Sequence, residues 1–265
     1  MFVSGLCETN IRKPNQVTIK QFGSSYKVTI LRSVRVAGYE ETFPNHKNNS
    51  HVNSDKLCNN LSRARNAVFE YAMCNPWSYF ATFTINSYFD RYDLSSVYKA
   101  FSKWINNFNQ RNGVCIKYLI IPEQHKDGAW HFHGLINGLH PNYLVPFSLS
   151  DNIPLKLKLL IENGRIIYNW PAYSKHFGFV TLEKIQNIEA CSKYITKYIT
   201  KSFEPSCIGL NKHLYYCSHG LKRAEVLFRG DAFCSIDNPD FSNDYVQVKF
   251  VNSLEDAKKY IYLED

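Results

Sequence analysis

Two apolar-rich runs with a short polar stretch between them stand out along the chain. Residues 115–121 are β-branched and aromatic, residues 130–136 alternate, and Lys126, Asp127 and Gly128 between them carry turn chemistry. The pattern predicts a β-hairpin. Alternation puts His131 and His133 on one face, with Phe132 and Ile136 on the other. Loop length decides which residues face them. A two-residue Asp-Gly turn pairs Gln124 with His131. A three-residue loop with Gly128 in the left-handed region pairs Glu123 with His131, and a five-residue loop pairs His125 with His131 at the same parity. An odd loop is the expectation, with Glu123, His125, His131 and His133 sharing one face.

The remaining elements follow from the same kind of pattern. Residues 15–37 alternate as a second hairpin, turning at Gly23, Ser24 and Ser25. Residues 43–60 are polar and Asn-rich without periodicity and read as a linker. Leu61, Ala64, Val68 and Ala72 recur at helical spacing until Asn75 and Pro76 stop the helix. Residues 80–86 alternate, with Ala81, Phe83 and Ile85 toward a core and Thr82, Thr84 and Asn86 on the polar side. Val97, Phe101, Trp104, Ile105 and Phe108 predict a second amphipathic helix, capped by Asp93 or Ser95 and ended near Gly113. Residues 138–172 are less regular and read as an insertion; within them, 153–161 fit helix or strand, and Asn163 and Gly164 mark a turn. Residues 177–181 predict a strand, and Asn187 an N-cap. Beyond Ser206 come strand patterns at 214–217, 221–228 and 245–251, then a short helix capped by Ser253.

Downstream of Asn187 a tetrapeptide is written twice: Lys193, Tyr194, Ile195, Thr196, then Lys197, Tyr198, Ile199, Thr200, followed by Lys201. Tyr-Ile-Thr alone favours strand. Ile188, Cys191, Ile195 and Ile199 recur at three and four residues, which predicts a helix with that face buried. On it Tyr194 and Tyr198 lie one turn apart, roughly 6 Å between Cβ atoms, and the three lysines form a like-charge column that an anion would relieve.

Composition narrows the classes. With 45% apolar and 15% aromatic residues over 265 positions, the chain can bury a substantial core. Lys and Arg exceed Asp and Glu by 31 to 23, a net charge of +8 that suits an anionic partner. The eight cysteines are scattered with no Cys-x-x-Cys pair, which argues against a zinc ribbon and suits reduced thiols in a cytosol. Cys74, Cys115 and Cys191 read as small core residues. There is no run fit to span a bilayer, no signal-peptide pattern at the N-terminus and no phosphate-loop motif, so neither a membrane nor a nucleotide cofactor is expected.

Two imidazoles and a carboxylate on one strand face suit a divalent cation with open positions. A phenol is a competent nucleophile toward a phosphodiester, and a lysine one turn away favours phenolate and phosphate alike. With these residues in view, the chain resembles the HUH endonucleases. His131-Phe132-His133 is similar to their His-hydrophobic-His centre, Thr82-Phe83-Thr84 to their first motif, and Tyr194 to Lys197 to their tyrosine motif. Glu123 stands where viral rolling-circle initiators carry the acidic third ligand. The tandem Tyr-x-x-Lys units after Gly178-Phe179-Val180-Thr181 look most like the two-tyrosine replication initiators of small single-stranded DNA phages, microviral and filamentous. The resemblance spans about residues 62–203.

The resemblance implies an α+β fold: a central antiparallel sheet of about five strands, ferredoxin- or RRM-like, with helices on one face, an N-terminal β-hairpin and a C-terminal α+β extension. The expected domains are residues 1–60 (hairpin and linker), 61–206 (endonuclease core) and 207–265 (extension packed on the core). It also implies Mg²⁺ or Mn²⁺ held by Glu123, His131 and His133 with His125 as an auxiliary, Tyr194, Tyr198, Lys197 and Lys201 as catalytic residues, and DNA contacts by Thr82, Thr84 and Lys193. The activity implied is nicking of a single-stranded DNA origin with a 5′-phosphotyrosine intermediate and rejoining. A host helicase and polymerase would assist in the cytoplasm of a bacterial cell. Three other readings stay open: a non-catalytic RRM-like single-strand-binding module, a structural zinc protein, and a relaxase or transposase of the same class.

Overall fold

The structure, a computed structural model, describes residues 11–12, 15–32, 35–36, 54–201 and 213–262. Met1–Val52 with Arg223–Asp265 form one compact unit, and Asn53–Lys222 form the other. The chain starts in the first. A two-residue strand β1 (Ile11–Arg12) pairs with β4 (Arg35–Val36), and between them β2 (Gln16–Phe22) and β3 (Ser25–Leu31) make the expected hairpin. Its turn needs the left-handed backbone that Gly23 supplies at φ 60. Alternation sends Val17, Ile19, Val28 and Ile30 to one buried face.

The second unit opens with α1 (Ser54–Cys74), which begins inside the stretch read as linker. Its first turns are polar, so no apolar periodicity announces them. Residues 37–53 lie outside the described residues. Next come β5 (Tyr79–Thr84) and α2 (Leu94–Asn112), the latter with both expected caps: the Asp93 carboxylate accepts from the Ser95 N–H at 3.0 Å, and Gly113 turns out at φ 62. The central hairpin is β6 (Lys117–Gln124) and β7 (Trp130–Asn137). The insertion contributes β8 (Val145–Pro146), α3 (Leu155–Glu162), β9 (Ile167–Asn169) and α4 (Pro171–His176), so the ambiguous 153–161 run is largely helix. Then follow β10 (Val180–Lys184), α5 (Ile188–Lys201), with the Asn187 side chain accepting from the Ala190 N–H, and β11 (Tyr216–Cys217).

These strands form one antiparallel sheet in the order β11-β6-β7-β5-β10-β9-β8. The class is α+β, as expected. Two-residue strands at the edges, β11 and β8, bracket five longer ones. Helices cover both faces, where one had been expected. On the first face, Ala81, Phe83, Ile120, Phe132 and Leu182 pack against Val97, Phe101 and Ile105 of α2 and Tyr173 of α4. On the second, Leu119, Ile121 and Leu135 pack against Ala64, Val68 and Ala72 of α1 and Ile195 and Ile199 of α5. The reason is on β6, where positions 118–122 are buried on both sides, as a strand sandwiched between helices must be.

The chain then returns to the first unit. There β12 (Glu225–Asp231), β13 (Phe241–Ser242) and β14 (Val246–Val251) join β2 and β3 in a five-stranded sheet of order β12-β2-β3-β14-β13, and α6 (Leu254–Lys258) follows its Ser253 cap. Ala257, Ile236 and Ile261 close over Val17, Ile19, Val28 and Ile30. Of the cysteines expected inside, Cys74 and Cys191 are half-buried and Cys115 is exposed, because it precedes β6. Among the described residues no helix is long and apolar enough to cross a membrane.

Candidate metal centre and tyrosine pair

The hairpin register sets the geometry of the site. Gln124 pairs with Trp130, and Glu123 with His131. The His125 N–H donates to the Ala129 carbonyl at 2.8 Å, which leaves a three-residue loop with Gly128 at φ 87. This is the odd loop, so Glu123, His131 and His133 share the α5 face. A Cβ on Gly134 would stand 2.5 Å from Ile120 Cγ2 and 2.7 Å from the Leu119 carbonyl oxygen, so the residue after His133 must be glycine for β6 and β7 to approach this closely.

Three atoms converge on the face. Glu123 Oε2 lies 2.7 Å from His133 Nε2 and 3.0 Å from His131 Nε2, and the two Nε2 atoms are 2.9 Å apart. Both histidines are buried. Among the described residues these three form the group able to hold a metal ion. His131 is held neutral: burial, then the neighbouring His133 and His125, push its pKa down to about 4 against the pull of Glu123. A neutral imidazole offers the lone pair that a metal ligand needs.

The support behind each imidazole differs. Thr82 pairs with His133 across the β5–β7 register, and its Oγ1 is 3.1 Å from His133 Nδ1. With Nδ1–H donating to that hydroxyl, the Nε2 lone pair is directed at Glu123 and His131. Three lone pairs facing one another at such short range repel unless a proton or a cation lies among them, and this is the fit of the donor set to a metal. His131 Nδ1 is buried and finds no hydrogen-bond partner. Its ring is oriented instead by His125, stacked at 3.9 Å and 24°. His125 thus lies against His131 rather than adding a fourth atom to the convergent group. Thr84 pairs with His131 in register. Thr82→Val is expected to weaken Mn²⁺ binding by roughly 10–100-fold while leaving the fold intact, measured by titration calorimetry. An unchanged affinity would remove Thr82 from the site.

The tyrosine helix packs beside this group. Tyr198 stacks on His133 with ring centroids 3.9 Å apart at 18°, and its hydroxyl donates to that of Tyr194 at 2.6 Å. Tyr198 is 8% exposed and Tyr194 47%. Burial, the hydrogen bond to Tyr194 and the Glu123 charge together push the Tyr198 phenol well above the usual tyrosine range. Lys193 and Lys197 are exposed on the same helix. Lys201 is its last residue, and its side chain lies outside the described residues.

Sequence reading missed Phe80. Its ring is 6.2 Å from His133, 5.4 Å from Tyr194 and 6.5 Å from Tyr198, so it holds the imidazole and both phenols in one aromatic cluster. The signal was present: Phe80 shares the strand parity of Thr82 and Thr84, an aromatic residue on the face assigned to polar groups.

Fold and site together define an α+β domain with a candidate divalent-metal centre beside a pair of coupled phenols. Residues 78–203 match the family of the replication-associated protein ORF2, a stretch from the start of β5 to just beyond α5 that holds every residue of the site. The match is consistent with a rolling-circle replication initiator, and α1 lies outside it. No curated protein and no solved structure matches the chain.

Proposed function

We propose that this protein initiates rolling-circle replication by nicking single-stranded origin DNA with a tyrosine, and later rejoining the strands. One observation carries the reading: the Tyr198 ring rests on a candidate metal ligand, His133, and its hydroxyl bonds that of Tyr194, so both phenols stand beside one cation site. Glu123, His131 and His133 would hold the ion. An octahedral site with bonds of about 2.1 Å has ligand edges of about 3.0 Å, whereas a tetrahedral zinc site has edges of about 3.4 Å. The observed 2.7–3.0 Å spacings favour Mg²⁺ or Mn²⁺ in the octahedral form. When bound, the ion supplies positive charge against a phosphodiester oxygen.

The chain's own residues do the rest. A tyrosine oxygen attacks phosphorus, its proton passing to solvent. The bond from phosphorus to the 3′ oxygen breaks, that oxygen takes up a proton, and the 5′ phosphate stays on the tyrosine. Lys197, one turn from Tyr194, favours the phenolate and the phosphate; Lys193 and Lys201 extend the cationic face, and Thr82 and Thr84 line the strand beside it. Tyr194, the exposed phenol, makes the first cut, and Tyr198 acts in the second. No energy source is needed, because the phosphotyrosine ester keeps the bond energy and a free 3′-hydroxyl reverses it. The protein works in the cytoplasm of a bacterial cell alongside a host helicase and polymerase.

The test uses 3′-labelled single-stranded oligonucleotides tiling the replicon that encodes the chain, incubated with the full protein and Mn²⁺. One oligonucleotide should give a labelled band shifted by the mass of the protein under denaturing conditions, lost with EDTA. Binding across the set without any such adduct would replace the enzyme with a single-strand-binding module.

A further inference from the structure

The face that carries the metal group is not covered evenly. Over β6 and β7 it is closed by α1 and α5, and over β9 by α3, where Leu157 and Ile153 pack on Ile167. Between them, β5 and β10 leave a lane of half-buried polar side chains: Thr82, Thr84 and Thr181, Thr181 pairing with Thr82 in register. At the end of this lane stands Phe179. It has the parity of Thr181, so it belongs to the same face, and it is 36% exposed where the pattern calls for a polar residue.

Phe179 is held in place from two sides. Its carbonyl accepts from the Thr84 N–H at 2.9 Å, and the preceding Gly178, at φ 130, lies so close to Asn86 that a Cβ would be 3.0 Å from the Asn86 nitrogen. Its ring meets that of Phe147 at 5.5 Å and 30°, and Phe147 in turn packs on the Ile153, Leu157 and Ile167 cluster. The one carboxylate in the lane, Glu183, is paired with the Arg165 guanidinium, so it does not repel an anion. Thr84 pairs with His131 on one side and bonds Phe179 on the other. Two strand spacings of about 4.8 Å therefore put Phe179 about 10 Å from the metal group.

We infer that Phe179, backed by Phe147, is a stacking platform for a base of the single-stranded DNA, within about two nucleotides of the phosphate that is cut. An exposed, rigidly mounted phenyl ring stacks on any base, because every base has a π face; the threonine lane leaves room for sugar and phosphate between platform and metal. This assignment of substrate contact rests on the nicking reading above.

The test uses the full chain with Mn²⁺ and the tightest-binding oligonucleotide of the tiling set, with 2-aminopurine placed in turn at each position. At one position the fluorescence should be quenched on binding. Phe179→Ala should abolish that quench and weaken binding roughly five- to a hundredfold, Phe179→Tyr should restore both, and Mn²⁺ affinity and the thermal midpoint should stay as in the parent protein. Adduct formation with a quench that Phe179→Ala does not change would remove the platform and leave the nicking reading standing. Loss of the quench in a protein that forms no adduct would keep the platform and remove the nicking. A parent protein that binds none of the oligonucleotides ends both.

Discussion

Glu123→Gln is expected to reduce Mn²⁺ affinity and metal-dependent nicking together, by on the order of 10²–10³-fold, with the hairpin unchanged. The amide keeps the shape of the carboxylate but removes the charge to which both Nε2 atoms converge, at 2.7 and 3.0 Å. His131→Ala and His133→Ala should lose the same activity. His133→Ala also withdraws the ring on which Tyr198 stacks, so Glu123→Gln is the cleaner probe. Titration of Mn²⁺ and a nicking assay on one preparation check this, with single-stranded DNA binding as the control. That binding should persist and weaken steeply with salt, since it comes from phosphate contacts. Nicking at the parental rate in Glu123→Gln would falsify the metal assignment.

The tyrosine pair gives the second large effect. Tyr194→Phe should lose most of the first cleavage, because the phenol that reaches solvent is Tyr194, at 47% exposure against 8% for its partner. Tyr198→Phe should still nick an oligonucleotide, since it keeps the ring on His133 and removes only the hydroxyl that donates to Tyr194. Neither variant should release closed circles over a full round of replication: one phenol holds the 5′ end while the other must cut the regenerated origin. The double variant should form no adduct at all. Normal circle yields from both single variants would end the two-tyrosine scheme.

Much of this was legible because the signals are local. The His-x-His alternation, the left-handed Gly128 and the odd loop are written in consecutive residues, and they set the facing of Glu123 and His131. The buried face of Ile195 and Ile199 overrode the strand preference of Tyr-Ile-Thr, and so placed the two phenols one turn apart. What was not legible depends on distant partners. The pairing of β2 with β12 and of β3 with β14 joins strands far apart in the chain, and no local pattern announces it. Phe80 and Phe179 each break the polar alternation of their strands, and the purpose of the break shows only once a helix or a neighbouring ring is seen against them. The short α4 did carry a signal, Pro171 in its first turn after Trp170, inside a stretch whose irregularity hid it.

His131 and His133 sit on β7, which has a hydrogen-bonded neighbour on each side, β6 and β5, and packed side chains above and below. Opening such a strand requires opening the domain, so its amides belong with the slowest to exchange with deuterated water. The tyrosines ride on a surface helix whose frayed end exchanges sooner. The cation is thus anchored to the least yielding part of the domain, and any adjustment between successive cuts falls to the helix that carries the nucleophiles.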